Sequence, residues 1–191
     1  MQMSGFTALY IASYNGHLAV VQALLAAGAD KEARDQVGCS ALFMASQKGH
    51  LAVIEALLAA GADKDTAKDS GATALLAASE NGHLAVAEAL LAAGADKEAK
   101  TERGATVLYI ASQNGHRAVV HALLAAGADK DAKTPAGCSA LYIASQDGHL
   151  AVAEALLTAG ADKEAKTPTG ATALFMASQN GHLAVVEALL A

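Results

Sequence analysis

The sequence predicts an all-α solenoid, with helix-turn-helix units stacked in one direction and joined by turn or hairpin loops. Three observations predict it. The stretch opening at Gly5, GFTALYIASYNGHLAVVQALLAAGADKEARDQV, returns every 33 residues, a period that marks a stacked array. His17, His50, His83, His116, His149 and His182 keep that beat, as do Gly5, Gly38, Gly71, Gly104, Gly137 and Gly170. Within each unit two short helical patterns are separated by glycine, and neither reaches the roughly 12–15 residues a lone helix needs in water. Each pair must therefore bury its leucines against the next pair.

The first unit shows the local logic. Thr7 can cap a helix that begins at Ala8 and runs to about Asn15, where Gly16 supplies a left-handed stop. After His17, Leu18, Val20, Val21, Leu24 and Leu25 recur at helical spacing and form one broad apolar face. Ala19, Gln22 and Ala26 fall away from it. Gly28 ends this second helix. Residues 29–37 carry Asp, Lys, Glu and Arg and read as an exposed loop or a two-stranded finger.

Composition narrows the function classes. The chain is 53% apolar but only 4% aromatic, which suits thin interfaces between units rather than one thick core. Its formal charge of −6, with Lys and Arg interleaved among Asp and Glu, lacks the clustered basic face that nucleic acid demands. No run of about 18 apolar residues exists, so no membrane insertion is expected. The start, MQMSGFTAL, is unlike a signal peptide, and this favours an intracellular, cytoplasmic setting. Cys39 and Cys138 occupy the same place three units apart. At a stacking distance of about 9–10 Å they stand on the order of 30 Å from each other and should be free thiols.

The unit resembles an ankyrin repeat on Gly71, Thr73 and Leu75, then Gly82, His83 and Leu84, then Leu90, Leu91, Gly94, Ala95 and Asp96. The resemblance divides residues 1–191, read as a single array, into units 5–37, 38–70, 71–103, 104–136, 137–169 and an incomplete 170–191. Two departures stand out. The family's proline after the threonine is Ala8, Ala41, Ala74, Val107, Ala140 or Ala173. The family's next histidine, which ties neighbouring loops by hydrogen bonds, is Tyr10, Phe43, Leu76, Tyr109, Tyr142 or Phe175. Packing is expected to substitute at the apolar ones.

Along the chain, residues 1–4 leave little room for a separate N-terminal cap. Pro135 and Pro168 share one loop position, where a fixed φ suits a turn. In the last unit Leu183, Val186, Leu189 and Leu190 are expected to lack a covering neighbour, which allows end-to-end self-association.

Catalytic and ligand motifs are missing. Histidines about 10 Å apart cannot share a zinc bound at about 2.0–2.1 Å, and the glycines match no phosphate loop. Glu55, Glu88, Glu154 and Glu187 read as a solvated outer row. No enzyme activity, cofactor or metal is expected. The resemblance implies protein binding on a concave face built from first helices and loop tips. Its candidate residues at the helix ends are Tyr14 and Asn15, Gln47 and Lys48, Glu80 and Asn81, Gln113 and Asn114, Gln146 and Asp147, and Gln179 and Asn180. The loop tips add Gln36, Asp69, Glu102 and Arg103, with Pro135, Ala136, Pro168 and Thr169 beside them. Tyr10, Tyr109 and Tyr142 either border that groove or pack between helices. The expected role is a protein-binding scaffold; the alternatives are a structural spacer array or the regulatory segment of a larger multidomain protein.

Overall fold

The computed structural model describes residues 7–191, so Gly5 and the expectation about residues 1–4 lie outside the described residues. Twelve helices among these residues fall into six pairs. They are α1 (Ala8–Tyr14) with α2 (Leu18–Ala26), α3 (Ala41–Lys48) with α4 (Leu51–Ala59), and α5 (Ala74–Glu80) with α6 (Leu84–Ala92). Then follow α7 (Val107–Gln113) with α8 (Arg117–Ala125), α9 (Ala140–Gln146) with α10 (Leu150–Thr158), and α11 (Ala173–Asn180) with α12 (Leu183–Leu190). First helices pack on first helices and second on second, giving two parallel layers.

Local chemistry sets the start of each first helix. The hydroxyls of Thr7, Ser40, Thr73, Thr106, Ser139 and Thr172 each accept the amide of the third helical residue, the N-cap bond. In the first five pairs both helices end at a left-handed glycine. At α2, Gly28 sits at φ +79° and donates to the Leu25 carbonyl (3.0 Å), while the Ala29 amide reaches back to Leu24 (3.0 Å). This is a Schellman ending, which only glycine enters without a steric penalty. At α1 the His17 amide reaches the Ala12 carbonyl (2.9 Å) in the same pattern.

The core is the set of interfaces between pairs. Leu9, Leu42, Leu75, Leu108 and Leu141 are fully buried on the first-helix layer; Leu57, Leu90, Leu123 and Leu156 are fully buried on the second. Burying such a side chain is worth about 1.5–3 kcal/mol. Burial of one position by its neighbour explains two departures from expectation. Val20, expected on the buried face, is 48% exposed, because no described pair lies on that side, whereas its equivalents Val53, Val86, Val119 and Val152 are closed off. In the last unit Leu189 is buried and Val186 half-buried, contrary to the expectation that both lie open. Both rest on the core formed with the preceding units. Leu183 and Leu190 are 68% and 67% exposed, and Phe175 joins them at 56%.

Between pairs the chain makes a finger. The Asp35 amide donates to the Cys39 carbonyl (3.0 Å) and the Gly38 amide to the Asp35 carbonyl (3.1 Å). Among the described residues only isolated antiparallel bridges form, Arg34 with Ser40 and Lys100 with Thr106, so these are closed turns rather than paired strands.

Candidate binding face

The fingers and the first helices together form one face, and three sets of bonds between units hold its geometry. His50, His83, His116, His149 and His182 each donate from Nε2 to the carbonyl of a first-helix residue in the unit before. The acceptors are Tyr14, Gln47, Glu80, Gln113 and Gln146, at 2.9–3.0 Å. The imidazoles lie flat against the glycine that ends that helix: a Cβ on Gly82 would stand 2.6 Å from His116 Nδ1. These histidines are thus the register pins of the stack. A second set runs along the finger bases. Carboxylates of Glu32, Asp65, Glu98 and Asp131 accept the amides of Asp63, Asp96, Asp129 and Asp162 one unit on, at 2.8–3.0 Å.

The third set joins the finger tips and covers only part of the chain. The Asp69 amide donates to the Val37 carbonyl (3.2 Å) and the Glu102 amide to the Ser70 carbonyl (3.1 Å). At the next two fingers the donor position holds Pro135 or Pro168, which has no N–H. Its ring packs instead on the preceding turn glycine, where a Cβ on Gly104 would stand 2.5 Å from Pro135 Cδ.

The predicted contact residues divide by what already occupies them. Gln36, Asp69, Glu102 and Arg103 stand exposed on the finger tips. Glu80 and Gln113 are exposed at first-helix ends, with Gln47 and Gln146 half-buried beside them. Lys48 Nζ sits 4.7 Å above the Tyr14 ring, a cation–π contact between two exposed side chains. The amides of Asn15, Asn81 and Asn114 bond the carbonyls of Ile11, Ala77 and Ile110 in their own helices, at 2.8–2.9 Å. Asn180 instead reaches the Gln146 carbonyl (2.7 Å). Gln179 is exposed, and Asp147 is exposed with Gln146 Nε2 3.5 Å away.

The tyrosines do not behave alike. Tyr10 is 6% exposed and its hydroxyl donates to Asp35 Oδ2 (3.0 Å), so of the two alternatives its ring takes the packed one. Burial and that hydrogen bond push its phenol well above the usual range. Tyr109 and Tyr142 are half-exposed, and burial raises Tyr109 to about 12.

Around Tyr109 the face deepens into a cavity of about 690 Å³. It spans the third and fourth fingers and the first helix between them, with Ser70 of the second finger at its edge, and gathers Glu102, Arg103, Tyr109, Gln113, Pro135 and Ala136 from the predicted set. Ile110, Thr134 and Cys138 also line it and were not singled out as contacts from the sequence. Cys138 is an unpaired thiol as expected, and so is buried Cys39. Nothing in the pattern of variable positions warns that a missing finger bond opens the wall beside them.

No helix among the described residues is long and apolar enough to cross a membrane. Three overlapping matches to the family model for ankyrin repeats (3 copies) cover residues 9–101, 42–134 and 108–191. No curated protein matches the chain. Ankyrin repeats are typically non-catalytic and generally bind other proteins. With the match running over nearly the whole length and twelve helices paired at its period, the chain belongs to the ankyrin repeat family.

Proposed function

We propose that this array, taken as one unit over residues 1–191, is a non-catalytic scaffold that holds a protein partner across its finger-side face. The contact centres on units three to five, with Arg103, Glu102, Tyr109 and Gln113 at the middle and Gln47, Glu80, Gln146 and the finger tips at the rim. The observation that carries the reading is the cavity beside Tyr109, where a half-exposed aromatic and the exposed charges of Glu102 and Arg103 converge. Aromatic and arginine side chains in such a depression are the usual energetic anchors of an interface.

The test is affinity capture from lysate with the full chain, against the same chain carrying Gln47, Glu80, Gln113 and Gln146 changed to Arg. The histidine bonds use the backbone carbonyls of these residues, so the stack survives the changes, and circular dichroism verifies it. A protein held by the parent and lost by the variant supports the scaffold. Equal capture by both, or none, assigns the segment to a spacer or to a regulatory part of a larger protein. The exposed Phe175, Leu183 and Leu190 support a second, weaker association of copies end to end. Light scattering that stays monomeric over a wide concentration range removes it.

A further inference from the structure

Four first helices end in Asn-Gly: Asn15-Gly16, Asn81-Gly82, Asn114-Gly115 and Asn180-Gly181; the fifth unit has Asp147-Gly148 at that place. Asn-Gly is the pair most open to cyclisation, because glycine puts no side chain in the way of its own nitrogen. That nitrogen attacks the Asn Cγ and the new C–N bond closes a five-membered imide. The Cγ–Nδ2 bond breaks, and the amide nitrogen leaves as ammonia with the proton given up by the glycine N–H. Water then opens the imide at either carbonyl, leaving aspartate or isoaspartate. No oxidant or catalyst is required.

The folded chain holds three of these pairs away from that path. Asn15, Asn81 and Asn114 have ψ of −1°, 2° and 2°. Ring closure needs Cβ and the glycine nitrogen to eclipse across the Cα–C bond, roughly 120° away for tetrahedral Cα geometry. Their Nδ2 groups are tied to the helix carbonyls four residues back. The nitrogens of Gly16, Gly82 and Gly115 donate to the carbonyls of Ser13, Ser79 and Ser112, and the next unit's imidazole lies over each glycine. At Asn180 the amide bonds a carbonyl of the preceding unit and the Gly181 nitrogen keeps a bond to the Ser178 carbonyl (3.3 Å), but among the described residues no imidazole covers Gly181.

We propose that these Asn-Gly pairs are modification sites of spontaneous deamidation, gated by opening of the unit that follows each one, so that Asn180 converts first and Asn81 and Asn114 last. Asp147 shows what the aspartate product does: its backbone amide keeps the Ile143 carbonyl (3.0 Å) and the His149 amide keeps the Ala144 carbonyl (2.9 Å), while the side-chain bond four residues back and the glycine-amide bond to the serine carbonyl seen at the Asn-Gly ends are not made. Internal conversion to aspartate therefore keeps most of the helix end and adds a negative charge to the finger-side face, whereas isoaspartate lengthens the main chain by one carbon and breaks the helix ending. Conversion at Asn180 sets a carboxylate against the Gln146 carbonyl and loosens the last unit.

The experiment incubates the full chain at pH 7.4 and 37 °C, natively and in urea, and follows each Asn-Gly peptide by mass spectrometry, with isoaspartate scored by enzymatic methylation. In urea the four sites should react at matching rates, since no fold distinguishes them. Natively, Asn81 and Asn114 should slow by at least about tenfold relative to urea, the factor a modest local-opening energy imposes, with Asn180 the fastest. A His116→Ala variant should speed Asn81 selectively. Equal native and urea rates at Asn81 overturn the gating, and a native Asn180 slower than Asn81 overturns the order. Neither readout uses a partner, so it is independent of the binding proposal.

Discussion

The finger side of units one to three and that of units four and five carry the same helices but differ in how tightly the fingers close. In front, Tyr10, Phe43 and Leu76 are 6%, 4% and 2% exposed. Behind, Tyr109 and Tyr142 at the same position are half-exposed. For the two front aromatic rings the difference follows from the finger residue above; Leu76 sits under Thr101, whose hydroxyl takes the Ala105 amide as the rear threonines take theirs, and is closed off with a shorter side chain. Asp35 bonds the Tyr10 hydroxyl, and the long side chain of Lys68 lies over Phe43 with its Nζ 5.0 Å from the ring centre. Thr134 and Thr167 are short and spend their hydroxyls on the amides of Cys138 and Ala171. The tip bonds stop at the same boundary, where Pro135 replaces a donor. The change that coincides with the boundary is Pro135, and the cavity opens beside it while the layers beneath are unchanged. In such a repeat stack, recognition can vary without touching the core that stabilises it.

The histidine pins run through both halves, so breaking them tests what the two halves share. Gly82→Ala in front and Gly115→Ala behind should each cost about 2–3 kcal/mol, from a left-handed alanine and the loss of a hydrogen bond as the imidazole is pushed off. Urea denaturation reads this, and a cost confined to one half would show that the pins are not equivalent. A smaller effect is expected from Asp35→Thr, which gives the front finger the rear residue. A threonine can still take the Cys39 amide, as Thr134 takes Cys138, but the tyrosine bond goes, at about 1–1.5 kcal/mol.

The same substitution has a pH signature. Tyr10 and Tyr109 both titrate above the ordinary tyrosine value of about 10, so the fold favours their neutral forms. That contribution is complete below the unfolded pKa and is lost as pH rises through the folded one, about 12 for Tyr109. Because a neutral phenol in the fold keeps a proton that the unfolded chain gives up, the folded state binds more protons between about pH 10 and pH 12, and stability falls over that window. Alkaline unfolding should therefore be steeper in the parent than in Asp35→Thr or Tyr109→Phe. Equal slopes in all three would show that these phenols titrate alike in folded and unfolded chains.

The smallest effects come from exchanging the tip donors. Glu102→Pro deletes the bond to the Ser70 carbonyl, and Pro135→Glu offers one to the Arg103 carbonyl. Each changes stability by less than about 1 kcal/mol, because a hydrogen bond and the stiffness of proline nearly offset one another. Amide exchange is the sharper readout: the new backbone N–H that Pro135→Glu introduces should become as protected as the Glu102 N–H is in the parent. Rapid exchange there would mean that the rear tips lack this bond for a reason other than proline.

Much of this molecule could be read from residues a few positions apart. The caps at Thr7, Ser40 and their equivalents, and the left-handed glycines at each helix end, obey rules acting within about six residues. What escaped involved partners a whole unit away. The histidines stood in plain periodic view, yet nothing in the spacing told that His50 would find the carbonyl of Tyr14 rather than stay within its own helix start. Tyr10 was legible as a groove residue or a packing residue, and only the placement of Asp35 decided between them. The cavity escaped for a related reason: Pro135 read as a sound turn residue, and its missing donor matters only because Arg103 lies opposite.

By itself, then, the sequence determined the period, the start and stop of each helix, and the necessity of stacking, since no unit buries its own leucines. The tertiary structure decided which side chain of one unit meets which carbonyl of the next, and where the finger face closes or opens. The offset between stacked units is set by the packing of Leu, Val and Ala across the whole interface. A shift of one helical turn there would pair different residues with no change in any local signal.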